Sequence, residues 1–393
     1  MIAFLAPLLV ASTVQVGLER IEAEKGGALR GLRVGLVAHA ASVTADGRHA
    51  IDVLRRSGID VRRLFGPEHG LRSRAAAGEK LPGGIDPESR IPVVSLYGER
   101  TKPDPNDLRD LDALVVDLQD AGVRFYTYAS TMILCLEAAA EAGIELVVLD
   151  RPNPLGGERM EGPVRDPALP TSLVSLAPGT LVHALTLGEM ARLVNAGLPR
   201  PARLTVVPMR GWRRPMTWAD TGRRWVAPSP NLRTAEAALA YPGVCLLEAT
   251  NLSEGRGTEA PFLLFGAPWM RPEEARLAVH ADGFRLEPTS FTPAASDAAP
   301  SPKHLGAACR GLRVVVTDAR AARPYALGIA LLQALRREPD FQWTREGAGL
   351  DTLLGTRRVR EALERGDPVG AILAADQPAL DAFARDRRRA LLY

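Results

Sequence analysis

The chain reads as an α/β protein: a mostly parallel sheet covered by helices, followed by a smaller C-terminal domain. Three observations predict this. Short β-branched runs alternate with helical patterns as far as Asp150, and such alternation builds parallel sheets with helices on their faces. The length of 393 residues exceeds the roughly 250–300 residues that one core fills, so a second domain is expected. After Asp150 the texture shifts to prolines, tryptophans and irregular stretches, which separates the two regimes.

Taken in order, strands are expected at Arg33–Val37, Val61–Phe65, Val93–Leu96, Ala113–Val116 and Leu146–Leu149. His49–Ser57 is helical and stops at Gly58, and Thr131–Ala142 is a helix rich in Ala, Leu and Glu. Gly143 is its C-cap. Strands at Leu204–Pro208 and Val244–Ala249 extend the sheet, with Trp212, Trp218 and Trp225 in long loops between them. From Arg271 follow a helix (Pro272–Ala281), a loop-like stretch at Pro288–Pro302, a strand at Leu312–Thr317 and helices to the end. The expected division is 1–16 as a terminal segment, 17–268 as the sheet domain and 269–393 as the C-terminal domain.

Composition narrows the class. Hydrophobic and charged contents of 46% and 24% are those of a soluble globular protein. Lys25, Lys80, Lys102 and Lys303 are the only lysines, so the net charge of +3 rests on arginine. Guanidinium forks hold carboxylates bidentately and would suit an anionic ligand, although GC-rich codon usage produces the same bias. No basic tract with interleaved aromatics exists, which excludes a nucleic-acid partner. Cys135, Cys245 and Cys309 have neither zinc nor disulfide spacing and read as small buried apolar residues. Ile2–Val16 is apolar, with Val10-Ala11-Ser12 as a passable signal-peptidase site but no basic n-region. It reads as a signal, placing the protein in the periplasm or outside the cell, or as a plain N-terminal element of a cytoplasmic protein. It is too short to span a bilayer comfortably, and no later segment is long and apolar enough, so an integral membrane protein is not expected.

Polar residues capable of chemistry follow nearly every expected strand: His39, Glu68-His69, Tyr97, Asp117 to Asp120, and Asp150-Arg151. Ligands bind at that carboxyl edge in open α/β sheets. After the first strand the chain reads Gly35-Leu-Val-Ala-His-Ala-Ala-Ser, with no G-x-G-x-x-G, and neither a G-x-x-x-x-G-K-[ST] loop nor G-x-S-x-G occurs. Nucleotide cofactors and a serine nucleophile elbow are therefore not expected.

Five stretches carry the candidates. In Gly66-Pro-Glu-His-Gly70 a tight turn fixes Glu68 and His69 at a loop apex. A half-shielded carboxyl group there can act as a general acid, against the plainer reading of a helix-capping turn. Adjacent Glu and His point different ways, which weakens a metal pair. Next, Asp117, Gln119, Asp120 and Arg124 lead into Tyr126 and Tyr128. Carboxylates and amides bond sugar hydroxyls while aromatic faces stack on pyranose rings, and a structural Asp–Arg pair is the alternative. Asn153, in Asp150-Arg-Pro-Asn-Pro-Leu-Gly-Gly157, and Asn231, in Ser229-Pro-Asn231, are held extended beside proline. Finally, Glu248-Ala-Thr-Asn-Leu-Ser-Glu-Gly-Arg-Gly-Thr258 gathers Glu248, Asn251, Glu254 and Arg256. Arg256 suits a substrate carboxylate, and Glu254 or Glu248 could pair with Glu68. Lys303-His304, before Gly306, reads as a helix cap, with a reach into the cleft between the domains as the alternative.

These motifs, in this order, resemble the bacterial exo-β-N-acetylmuramidase family, long carried as a domain of unknown function. The resemblance runs from about Val16 to Tyr393 and includes Phe65-Gly-Pro-Glu-His-Gly70, Val116–Tyr128, Leu149–Gly157, Pro228–Asn231 and Glu248–Thr258. It implies a Rossmann-like domain, an α+β C-terminal ancillary domain and a cleft between them. It also implies release of terminal N-acetylmuramic acid from non-reducing ends of peptidoglycan fragments, with Glu68 as a catalytic carboxylate. The partners would be saccharides of N-acetylmuramic acid and N-acetylglucosamine. The lactyl carboxylate of that sugar calls for arginine, and Arg124 and Arg256 are available. Glycosidic cleavage ordinarily uses two carboxyl groups, roughly 5–5.5 Å apart for retention and roughly 6.5–9.5 Å for inversion. Glu254, Asp120 and Glu248, in that order, are the expected partners of Glu68, unless the acetamido group assists. No metal or organic cofactor is required. Two other classes remain: a hydrolase whose metal is held by Asp117, Asp120, Glu68 and His69, and a non-catalytic binder of cell-wall sugars.

Overall fold

The structure, a computed structural model, describes residues 13–73, 75–80 and 82–393. The signal-like Val10-Ala11-Ser12 lies outside them. Twelve strands are present among the described residues: β1 (Arg33–Ala38), β2 (Asp60–Gly66), β3 (Gly84–Ile85), β4 (Pro92–Ser95), β5 (Ala113–Asp117), β6 (Glu145–Leu149), β7 (Glu161–Val164), β8 (Thr180–Val182), β9 (Arg203–Val207), β10 (Leu264–Ala267), β11 (Phe284–Phe291) and β12 (Cys309–Val316). The seven-stranded main sheet has the order β3-β4-β2-β1-β5-β6-β9. Every pairing in it is parallel except that of β3 with β4. The expected strands at Arg33, Val61, Val93, Ala113, Leu146 and Leu204 are all in this sheet. Burial on both faces explains their nearly unbroken apolar runs; every residue of β5, Ala-Leu-Val-Val-Asp, is buried.

One face is covered by α1 (Gly17–Ala23) and α2 (Ala50–Arg56), packed on Val34, Leu36, Leu64 and Val147. The other carries α3 (Pro105–Leu108), α4 (Thr127–Ala142) and α5 (Leu187–Asn195). Its core, around Val116, Met132 and Leu146, continues without a break into the C-terminal half at Leu312 and Leu350. α4 starts four residues earlier than the sequence suggests and is buried nearly all round, so its pattern lacks an amphipathic start. It ends as expected, with Gly143 left-handed at φ 69°.

The expected strand at Val244–Ala249 is instead helical. α6 (Ala235–Val244) runs on as a 3₁₀ turn, Cys245–Ala249. An apolar run buried on all sides looks alike in a strand and in a core helix. The real start signal is Thr234, whose hydroxyl accepts from the Ala237 N–H at 3.1 Å.

The second sheet is antiparallel, in the order β10-β12-β11. β10 lies before residue 268 and pairs with β12 beyond it, and β11 occupies the first part of the stretch expected to be loop-like. Around this sheet lie α7 (Pro272–Ala278), α8 (Pro324–Leu335), α9 (Ala348–Leu354), α10 (Arg358–Arg365), α11 (Val369–Ala374) and α12 (Gln377–Arg387). β7 and β8 form a separate hairpin set among these helices. The chain then returns to the first half. The Tyr393 hydroxyl donates to Asp150 Oδ2 at 2.7 Å and accepts from the Met209 N–H at 2.8 Å, and its ring meets Trp212 edge-on.

Candidate active site

Glu68 follows β2 at the carboxyl edge of the sheet and is half-buried. Its Oε1 accepts from the Gly78 N–H at 3.0 Å, and its Oε2 from the Thr127 hydroxyl at 2.8 Å. A carboxylate with both oxygens bonded has a fixed direction while keeping lone pairs free. Tyr97, after β4, stands beside it; burial and the Glu68 charge push the Tyr97 phenol up to about 12. The neighbouring His69 takes a left-handed backbone, φ 68°, and bonds its Nδ1 to the Ala75 carbonyl at 2.9 Å. That turn separates the two side chains and commits the histidine to its own loop.

Behind Glu68 stands a ladder of rings. Tyr126 meets Tyr128 edge-on with centroids 4.8 Å apart, and Tyr241 at 6.0 Å. Tyr241 meets Phe262 at 4.7 Å, and the Arg256 guanidinium lies over Phe262 at 5.0 Å. The ladder links the Glu68 corner to the Arg256 corner. Over it runs Pro228-Ser-Pro-Asn231, pinned by one carbonyl. Pro228 O accepts from Tyr128 Oη at 2.8 Å, Ser73 Oγ at 3.2 Å and His39 Nδ1 at 3.3 Å. His39 Nε2 accepts from the Gln119 N–H at 2.9 Å. Burial and the nearby Arg151 hold this imidazole neutral, with its pKa well below the ordinary range.

At the far corner, Arg256 Nη1 bridges Glu248 Oε1 at 2.6 Å and Glu254 Oε1 at 2.8 Å. Lys303 Nζ lies 3.2 Å from Glu254 Oε2 and donates to the carbonyls of Leu247, Glu248 and Leu252. The lysine thus caps the 3₁₀ turn and also serves the charge cluster. Burial opposes ionisation of Glu254, but Arg256 and Lys303 outweigh it and hold the carboxyl below the usual range.

Several predicted site residues belong to the frame instead. Asp117 and Arg151 form a buried bidentate pair, at 2.5 and 2.9 Å, across the ends of β5 and β6. Breaking such a pair costs about 3–5 kcal/mol. Gln119 Nε2 donates to the carbonyls of Asp120 and Pro152. Asn153 bridges Leu185 O and the Leu155 N–H. The left-handed Gly122 (φ 78°) lies so close to Asn153 Oδ1 that a Cβ would collide. Asn251 ties Asp340 O to the Gln342 N–H. Arg124 is fully buried and spends its guanidinium on the carbonyls of Pro163, Gly179 and Leu354. It fastens the β7–β8 hairpin to α9 and points away from any carboxylate site. Arg124 and Asn153 therefore spend their side chains on backbone groups of the frame. Asn231 is divided: its Nδ2 donates to Ala298 O, while Oδ1 has no partner among the described residues.

Asp120 is the exception in its stretch. Its Oδ2 accepts from the Gly122 N–H at 2.7 Å and lies 3.5 Å from His183 Nε2. The sequence reading passed over His183, although it follows β8 as His39 follows β1. Thr127 was also missed, because its role rests on α4 starting early. The metal set of Asp117, Asp120, Glu68 and His69 is not assembled, since Arg151 holds Asp117 and Ala75 O holds His69. Among the described residues no three His, Cys, Asp or Glu side chains gather at one metal-sized point. A separate cavity of about 670 Å³, between residues 154–159, 214–219 and the C-terminal Val316–Arg323 region, excludes Glu68 from its walls.

A half-buried carboxylate beside edge-on tyrosines stands at the carboxyl edge of a mostly parallel sheet, which is where enzymes of the open α/β class bind their ligands. The family profiles described as exo-β-N-acetylmuramidase NamZ, N-terminal and C-terminal, match residues 34–236 and 239–393. The chain belongs to this family. It is 39% identical over 386 residues to the peptidoglycan β-N-acetylmuramidase NamZ of Bacillus subtilis (strain 168), covering 97% of this chain and 91% of that one. Two crystal structures of DUF1343 family proteins from Bacteroides fragilis NCTC 9343 superpose with TM-scores of 0.87 and 0.80. Each is 30% identical and covers 97% of this chain and 99% of its own.

Proposed function

We propose that the protein is an exo-acting glycosidase that releases terminal N-acetylmuramic acid from the non-reducing ends of peptidoglycan fragments, in cell-wall turnover. The observation that carries this reading is Glu68, aimed by Thr127 and the Gly78 N–H beside the tyrosine ladder, within a chain whose residues 34–236 and 239–393 match the muramidase family. Glu68 donates a proton to the leaving oxygen and, in its ionised form, activates water. Arg256 is the remaining candidate for the lactyl carboxylate, because Arg124 is spent on backbone carbonyls. Among the described residues only Nη1 of Arg256 makes hydrogen bonds. As the second carboxylate, Glu254 arrives already ionised but held by two cations, whereas Asp120 keeps one oxygen free. The signal-like run near the N-terminus favours a working place outside the cytoplasm.

The test is hydrolysis of a chromogenic N-acetylmuramic acid glycoside by wild type and Glu68→Gln. Loss of a catalytic acid costs about 10²–10⁴-fold in rate, and equal rates from both proteins would remove Glu68 from the mechanism. The N-acetylglucosamine counterpart tests the lactyl contact. Comparable turnover of both sugars by wild type would dismiss Arg256 as a carboxylate clamp.

A further inference from the structure

α4 opens on Thr127, and the hydroxyl of this residue is used differently from that of Thr131, one turn later. Inside a helix a threonine hydroxyl ordinarily turns back to the carbonyl one turn behind, as Thr131 Oγ1 does to Thr127 O at 3.1 Å. Thr127 is the first helical residue, so no helical carbonyl lies behind it. Its hydroxyl donates instead to Glu68 Oε2 at 2.8 Å. The Tyr128 hydroxyl, which bonds Pro228 O at 2.8 Å, also reaches the Glu68 carbonyl oxygen at 3.3 Å. The first turn of α4 therefore grips Glu68 by main chain and side chain together.

The two carboxyl oxygens of Glu68 meet different kinds of partner. Gly78 offers Oε1 a backbone N–H, which only donates. A carboxylic acid accepts best at its carbonyl oxygen, so Oε1 is the oxygen that stays without a proton. Thr127 offers Oε2 a hydroxyl, which donates or accepts according to how it turns. Oε2 is the oxygen that gains and loses a proton without losing its partner.

We infer that Thr127 is a positioning residue for the acid step: its hydroxyl keeps the Glu68 proton on Oε2 and donates to that oxygen as the proton leaves. This role rests on the muramidase reading and deepens it. In the step the proton passes from Oε2 to the glycosidic oxygen while the bond from that oxygen to the anomeric carbon breaks, its electron pair staying with the oxygen. Negative charge appears on Oε2, and the Thr127 O–H turns to meet it. Water then adds to the anomeric carbon and returns a proton to Oε2. A donor aimed at developing charge lowers the barrier more than it strengthens binding.

The test compares kcat/KM for two aryl glycosides of N-acetylmuramic acid, one releasing phenol and one releasing dinitrophenol. Phenol, with a pKa of about 10 like that of tyrosine, needs the proton as it departs, whereas the far more acidic dinitrophenol departs as its anion. Thr127→Val keeps the branched shape and removes the hydroxyl. It should lower kcat/KM for the phenyl glycoside by about 10–100-fold, the worth of a hydrogen bond to a charged group, and leave the dinitrophenyl glycoside within about threefold of wild type. Thr127→Ser, which returns the hydroxyl without the methyl group, should bring the phenyl glycoside back to within about threefold of wild type. A merely structural role slows both glycosides by one factor, and that result overturns the inference. So does an unchanged phenyl rate in Thr127→Val, or a Thr127→Ser variant no better than Thr127→Val. Glu68→Gln should show the same selectivity to a greater depth; if it slows both glycosides alike, the acid role of Glu68 falls and that of Thr127 with it. Turnover of neither glycoside by wild type removes the muramidase reading itself. Melting curves check each variant's fold, and Thr127→Ala carries the same comparison if Thr127→Val does not fold.

Discussion

Replacing Arg124 by methionine keeps a long apolar stem but deletes the guanidinium, and the loss should appear in stability rather than in substrate affinity. The guanidinium bonds Pro163 O at 2.8 Å, Gly179 O at 2.9 Å and Leu354 O at 2.5 Å. A buried acceptor stripped of its donor costs about 1–3 kcal/mol, so three amount to about 6 kcal/mol. The charge itself is poorly housed: burial pulls the Arg124 pKa down to about 10, and relief of that strain returns about 3 kcal/mol. The net loss is about 3 kcal/mol, which lowers Tm by about 6–12 °C in a domain of 150–250 residues. Thermal melting followed by far-UV circular dichroism reads the loss directly. KM for the muramic acid glycoside should stay within about twofold of wild type, because the fork faces the β7–β8 hairpin and α9. An unchanged Tm with KM raised about tenfold for that sugar, and not for the N-acetylglucosamine glycoside, would return Arg124 to the substrate site.

Glu161 joins β7 to the first turn of α8 by accepting from the Tyr325 and Ala326 N–H groups, and burial pushes its carboxyl up to about 7. Because the folded state holds this proton more tightly than the unfolded chain does, wild type loses up to about 3 kcal/mol as pH rises from about 4.5 to 7. Glu161→Gln should flatten the urea midpoint across that range, and an unaltered slope would contradict the assignment. Tyr393→Phe strips one bond from the buried Asp150 and one from the Met209 N–H, at an expected cost of about 1–2 kcal/mol in denaturant titration. Hydrolysis should survive exhaustive chelation, since Arg151 and the Ala75 carbonyl occupy two of the four side chains a metal would need; abolished activity restored by added metal would revive the metal-dependent alternative.

The parallel sheet was legible because burial on both faces leaves plain Val- and Leu-rich runs, and the carboxyl-edge rule then gathers Glu68, Tyr97 and Asp120. Val244–Ala249 was misread because burial all round erases the difference between periods of 2 and 3.6. β3, β7 and β8 are too short for any period to register. Among site residues, Glu68 was readable from turn chemistry that fixes its place. Arg124 and Asn153 were not, because a sequence shows that a polar group is near an edge but not which way it turns. Their partners are backbone carbonyls and amides, which every residue possesses and no motif encodes. The sequence places Lys303-His304 beside a loop but names neither the carbonyls nor the carboxylate that Lys303 meets some fifty residues away.

The Pro228 carbonyl has a related consequence. Three side chains from distant parts of the chain converge on an atom that any amino acid would provide, so mutational scanning of this segment will report asymmetrically. Substitutions at 228 that preserve the chain direction should pass almost unnoticed, while losses at His39, Ser73 and Tyr128 register as defects with no visible counterpart. A contact map inferred from paired substitutions would leave the strap unattached, although it is bonded from three sides.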